Sequence, residues 1–315
     1  MAKTVESTVQ VRKPRLRWKK IIPVYLLMLP GILYFIVNNY IPMFGIIIAF
    51  KNLNFKKGIF GSDWCGFDNF KFLFSSGNAW QMTRNTLAYN IAFIILGMII
   101  PITVAILMNE IRSKIANRVF QTLILLPYLM SWVVVSYLAY AFLGAESGFI
   151  NASILAPLGK AKIDFYQNPT WWPLIIIFVQ QWKSLGFGMI LYYSAILGIS
   201  DDYYEAAKLD GATKMQQIRY ITLPMLKSTV ITLFILNVGK IFYSDFGLFY
   251  QVPRNQGMLY GVTQTVDTYV YNALMVQNNY GMSSAASVFQ SVIGCILVVT
   301  ANQIIKKISA EDAMF

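Results

Sequence analysis

Within this 315-residue chain, residues 200–227 (SDDYYEAAKLDGATKMQQIRYITLPMLK) are the segment whose residue types and spacing prescribe both a local shape and an exposed chemistry. Asp202 followed by Glu205 has the form of a capping box, an acceptor at the cap with a carboxylate three positions on, so a helix is predicted over 203–209. Asp210-Gly211 then supplies turn chemistry, because glycine tolerates positive φ. Thr213 and Gln216 make a second capping box, opening a helix to about Thr222. Pro224 falls at the mouth of the next apolar stretch, where its missing N–H costs little. The product is a helix–turn–helix bracket displaying Glu205. Such a bracket could offer a carboxylate to a basic partner, and it equally suits an ordinary amphipathic helix pair lying on a membrane surface.

A second set of candidates consists of polar residues embedded in apolar stretches, which are expensive there and mark pathways or paired structural groups. They are Gln180, Gln181, Trp182 and Lys183; Asn237, Lys240, Tyr243, Ser244 and Asp245; and Gln290 and Ser291. Amides, hydroxyls and aromatic faces suit a sugar, whose OH groups need hydrogen bonds and whose C–H faces stack on rings. Gln181, Trp182, Asn237 and Tyr243 have that chemistry. Helix-to-helix bonding explains small polar groups as well, and Lys183 or Lys240 with Asp245 could form a structural ion pair. No histidine occurs, which removes the usual general base and the commonest metal ligand. Cys65 and Cys295 have neither disulfide-framework nor zinc spacing, and Cys295, in an apolar run, is read as packing. No GxxxxGK[ST] motif is present, so ATP hydrolysis by a P-loop is not expected of this chain, nor any bound metal or cofactor.

The elements that must position these residues are membrane helices. The chain is 57% hydrophobic and 13% charged, with a mean hydropathy of +0.53, against about 25% charged residues in a soluble domain. An all-α membrane protein of about six spans is predicted, near residues 21–50 (broken by Pro42), 86–108, 119–143, 171–197, 228–250 and 282–305. Each is long enough to cross about 30 Å of hydrocarbon. The first is too long for a signal-peptide core and lacks a cleavage site. Residues 1–20 form a basic N-terminal segment, 21–305 the transmembrane domain and 306–315 a short tail.

Orientation follows from lysine and arginine. With the N-terminus in the cytoplasm, the inside segments carry 16 of them and the outside segments 8, in agreement with the positive-inside rule. The net charge of +12 is thus distributed beside span ends, and no nucleic-acid surface is inferred from it. The predicted outside loops are rich in aromatics such as Trp64, Trp171 and Trp172, read mainly as interfacial anchors.

The bracket resembles the cytoplasmic EAA loop of binding-protein-dependent ABC importer permeases. Glu205, Ala206, Ala207, Asp210, Gly211, Ala212, Ile221, Leu223 and Pro224 stand at the family's spacing. Ile218, where the family often has Phe, and Lys227, where it often has Pro, depart from it and concern packing and helix entry. GFDNFKFLF (66–74), LPYLMSW (126–132) and NYGMSSAASVFQS (279–291) are similar to stretches of the branch that imports complex oligosaccharides and polysaccharides. The resemblance covers nearly the whole chain from about residue 20.

It implies a type I importer permease fold in the cell membrane, with both termini cytoplasmic. Glu205 would be the acidic contact to a separate ATPase subunit, Ala206 and Ala207 would allow close approach, and Gly211 would make the turn. The implied partners are a second and different permease, two ATPase subunits that use ATP and magnesium, and an extracellular substrate-binding protein meeting outer loops such as 251–279. An ion-gradient transporter or channel is the competing reading. Its expected marks, such as inverted repeats or a selectivity filter, are not evident. A membrane enzyme lacks its catalytic residues, and a plain scaffold leaves the bracket unexplained.

Overall fold

The computed structural model of the protein describes residues 18–75 and 77–308 and divides them into two units at Ile47. Most of the basic N-terminal segment and of the C-terminal tail lies outside the described residues. The first unit is built on α1 (Trp18–Phe35), which continues through a wide turn at Ile36–Tyr40 and a short stretch at Ile41–Met43. The wide turn sits just ahead of Pro42. Proline lacks the N–H for the carbonyl four residues back and crowds it, so the turn before it opens.

The second unit begins with a two-stranded antiparallel hairpin, β1 (Lys51–Asn52) against β2 (Asp63–Trp64), and α2 (Asp68–Ser75). The long α3 (Asn78–Asn109) follows, then α4 (Lys114–Leu129) and α5 (Trp132–Leu143). Next come α6 (Trp172–Leu197), the bracket helices α7 (Asp201–Leu209) and α8 (Lys214–Gln217), and α9 (Leu223–Val238). Short α10 (Phe246–Gln251) and α11 (Val266–Tyr271) precede the final α12 (Tyr280–Ile308). Among the described residues, five helical stretches are long and apolar enough to span a membrane, and six if α4 and α5 count as one.

Two expected spans are corrected. Residues 119–143 do not form one helix: α4 and α5 meet at 98°. Pro127 weakens the last turn of α4, and the Ser131 hydroxyl accepts the Val134 N–H to start α5 afresh. The span placed at 228–250 begins earlier, at Leu223, and stops at Val238. Asp245 caps a new helix, its Oδ1 accepting the Leu248 N–H at 3.3 Å. Lys240, Tyr243 and Asp245 therefore stand in the turn that follows α9.

Among the described residues, the buried ones form three clusters. At the bracket end, Ala105 and Met108 of α3, Met189 and Tyr192 of α6 and Leu226 of α9 pack together. At the opposite end Tyr89, Val135, Trp172, Ile176, Phe249 and Val252 form another, and Met82, Phe242, Tyr269 and Met282 a third beside it. Helices α4 and α6 approach so closely that a methyl added to Gly186 would stand 2.5 Å from the Ile124 carbonyl oxygen. Small residues permit such crossings in membranes. Gly186→Ala should thus destabilise the detergent-solubilised protein by about 1–3 kcal/mol, read as a fall in melting temperature. Gly97→Ala, whose added methyl meets only Gln181 Oε1 at 3.8 Å, should leave the melting temperature nearly unchanged.

Candidate functional site

Helix α7 starts at Ser200, whose hydroxyl accepts the Asp202 N–H at 3.3 Å. The expected cap at Asp202 is thereby corrected: Asp201 and Asp202 lie inside the first turn, where carboxylates favour the positive end of the helix dipole. The C-terminus closes with both bonds of a Schellman motif, Ala212 N to Ala207 O at 2.8 Å and Gly211 N to Lys208 O at 3.1 Å. Gly211 takes φ +78° there. The second capping box is present, Thr213 N donating to Gln216 Oε1 at 2.7 Å. The helix then widens at Ile218–Thr222, just before Pro224, as it does before Pro42.

Three bonds brace the bracket. The Tyr204 and Thr222 hydroxyls lie 3.0 Å apart, Gln217 Nε2 donates to Ala212 O, and Lys214 pairs with Glu110 at 2.8 Å, joining α8 to the end of α3. On the outer surface stand Glu205, Ala206 and Asp210, with Leu209 90% and Met215 71% exposed. Ala207 and Ala212 are half-buried. Leu223 and Pro224 open α9. A carboxylate among exposed apolar side chains on a braced elbow is a surface for a partner with matching basic and apolar groups.

A cleft of about 430 Å³ opens between α3, α6 and α9. It gathers Gln180, Gln181, Asn237, Lys240, Tyr243 and Asp245 from the sequence candidates, with Ser184 beside them. Gln181 is buried, its Nε2 donating to Phe93 O at 3.4 Å. Gln180 Oε1 is buried without a hydrogen-bond partner among the described residues.

The other candidates lie elsewhere. Trp182 lines an apolar cleft of about 650 Å³ between α5 and α6. Gln290 is buried and donates to Phe242 O at 3.0 Å and Asp267 Oδ1 at 3.2 Å. Lys183 donates to Tyr128 O at 2.9 Å, holding a carbonyl at the end of α4. Among the described residues, neither Lys183 nor Lys240 forms an ion pair with Asp245. Instead the Trp132 indole stands between: Lys183 Nζ lies 4.9 Å from a Trp132 ring centre, and Trp132 Nε1 donates to Asp245 Oδ2 at 2.9 Å.

Three positioning residues escaped the sequence reading. Asn90 Nδ2 donates to Ile241 O and Tyr243 O, both at 3.0 Å, and so shapes the turn carrying Lys240 and Tyr243. Asp267 Oδ2 accepts from Ser244 N and Ser244 Oγ, both at 2.7 Å. Trp132 is the third. The usable signal for Asn90 was an amide inside an apolar span.

Residues 97–309 match the family described as binding-protein-dependent transport system inner membrane component. Protein LplB of Bacillus subtilis is 36% identical over 287 residues, covering 91% of this chain and 89% of that protein. The polygalacturonan/rhamnogalacturonan transport system permease protein YteP of the same organism is 37% identical, covering 91% and 88%. A chain in the crystal structure of a bacterial ABC transporter involved in import of the acidic polysaccharide alginate superposes with a TM-score of 0.83 at 32% identity, covering 93% of this chain and 98% of that one. The matches to the family and to these relatives extend over most of the chain, and the superposition shows a shared fold. The chain belongs to the binding-protein-dependent transport system inner-membrane components, the permease subunits of ABC importers.

Proposed function

We propose that this chain forms one half of the membrane passage of an oligosaccharide importer, driven by a separate ATPase through the elbow at 200–227. The observation that carries the reading is the elbow itself. It is braced to α3 through Lys214–Glu110 and runs without interruption into α9, which ends beside Asn237 and Lys240 at the cleft. At about 1.5 Å per residue, α9 is a lever some 24 Å long. A partner that moves the elbow therefore moves a wall of the cleft.

In this reading the elbow faces the cytoplasm, as do both termini, and Glu205 pairs with basic groups on one of two ATPase subunits. ATP and magnesium are used there, and this chain binds no cofactor. A second, different permease completes the passage. Gln181, Asn237, Lys240, Tyr243 and Asp245 offer the donors, acceptors and aromatic face that a sugar requires, while Trp182, Lys183 and Gln290 support the wall. The names of YteP and the alginate importer support a saccharide substrate. A neighbouring structure that includes an alginate pentasaccharide-bound periplasmic protein supports delivery by an extracellular binding protein. Rocking between two states, biased by contacts that differ between them, would carry the substrate through.

Two variants test the coupling. Glu205→Lys should insert normally, yet lose at least about tenfold in affinity for the ATPase, because a reversed charge leaves its partner unpaired. An unchanged affinity in a pull-down titration rejects the docking role. Gly211→Val should abolish sugar uptake by reconstituted vesicles: nothing lies within 4 Å of the added Cβ, so the penalty is the positive φ alone. Gly211→Asn tolerates that conformation and should retain uptake. Equal uptake by both variants shows that the turn's geometry does not matter.

A further inference from the structure

Beyond α10 the chain turns through Pro253–Gln256 with two consecutive non-glycine residues in the left-handed region, Arg254 at φ +56° and Asn255 at φ +49°. Such conformations are costly for a residue with a Cβ and persist where the surroundings over-determine them. Here Arg254 N donates to Gln251 O and Asn255 N to Tyr250 O, both at 3.0 Å. The Asn255 side chain is held more firmly still. Its Nδ2 donates to Asn272 Oδ1 at 3.2 Å, and its Oδ1 accepts from Asn272 Nδ2 at 3.0 Å and the Tyr260 hydroxyl at 3.1 Å. Asn272 is buried, so this clamp is anchored in the core.

The clamp fixes where Arg254 emerges. Its guanidinium carbon lies 4.4 Å from the Tyr140 ring centre, and the residue is exposed. Among the described residues it forms no ion pair. Beside it is a cleft of about 240 Å³ lined by Ser136, Tyr137, Tyr250, Gln251 and Arg254. A stacked guanidinium is a pre-oriented fork for a carboxylate. The phenols and amide around it suit hydroxyl groups, and the exposed Tyr137 ring offers a face for a pyranose.

From this cleft an aromatic track leads inward along α10. The Tyr250 and Phe246 rings stack at 4.8 Å, with Tyr271 against both at 5.0 and 4.7 Å. The helix begins at Asp245, on the edge of the central cleft, where Lys240 supplies another cation. Asp245 on the one cleft and Gln251 on the other stand about 9 Å apart along the helix axis, a distance that an oligosaccharide bridges.

We propose that the Arg254 cleft is a subsite for the carboxylate of a uronate unit, so that this permease is adapted to acidic oligosaccharides. The proposal rests on the oligosaccharide reading above. Its test compares oligogalacturonate with its methyl ester, the same sugar with the charge removed. Equilibrium binding is measured on the complete transporter in nanodiscs, and uptake in vesicles supplied with the binding protein.

The wild type should bind the free acid more tightly than the ester. Arg254→Gln should weaken acid binding about tenfold and leave ester binding and the melting temperature unchanged. Arg254→Lys, which keeps charge but loses the fork, should fall between them. Equal binding of acid and ester by the wild type overturns the proposal. So does a loss in Arg254→Gln that is equal for both sugars, or one seen in uptake and absent from binding, which marks a contact to the binding protein. If the wild type neither binds nor takes up either sugar, the uronate subsite is overturned, whereas the oligosaccharide reading would fail only if neutral oligosaccharides were refused as well.

Discussion

Inside a bilayer no water is at hand for a broken backbone, so each interruption of a helix must be repaired by a side chain brought from another element. That requirement organises the second unit. Where α4 ends at 98° to α5, Lys183 of α6 takes the Tyr128 carbonyl. Where α9 gives way to a turn, Asn90 of α3 takes the carbonyls of Ile241 and Tyr243, and Asp267 takes the Ser244 N–H. The repair by Asn90 borders the central cleft, which Asn90 and Tyr243 both line, because irregular backbone is tolerated at membrane depth only where protein or a polar cavity surrounds it.

The same repairs explain the electrostatics. Lys183 and Asp245 approach one another through the Trp132 indole, which offers its face to the cation and its N–H to the carboxylate. Each charge has a structural task, one at the end of α4 and the other at the start of α10. Lys240 has no such bond among the described residues and stays available in the cleft.

The elbow was legible in the sequence because every device that makes it is local. A cap, a C′ glycine, a capping box and a proline each act within a few residues of themselves. Even so the cap fell at Ser200, two positions early: its hydroxyl accepts the Asp202 N–H and donates to Asp202 Oδ2, so the Asp202 carboxylate is engaged by the cap itself. Span existence was legible from hydropathy. The break at Met130–Ser131 was missed because apolar residues continue across it, although Pro127 and Ser131 both pointed to it. The end of α9 was missed for the same reason: Ile241, Phe242, Phe246 and Leu248 keep the run apolar after the helix has stopped. The polar candidates were legible as a set, but which of them share one cleft was not: Gln181, Asn237, Lys240, Tyr243 and Asp245 do, and Trp182, Lys183 and Gln290 do not. Trp182 and Gln181 are neighbours in sequence, yet they line different clefts, one between α5 and α6 and the other facing α3 and α9.

The widened turn at Ile218–Thr222 also sets a phase. One residue more in a helical turn rotates everything downstream by about 100°. The extra residue therefore decides which side of α9 carries Leu233, Leu236 and Asn237 to the cleft and which side carries Phe234 away from it. A proline in the elbow thus governs, some four turns away, the rotational setting of the wall that a passing solute would meet.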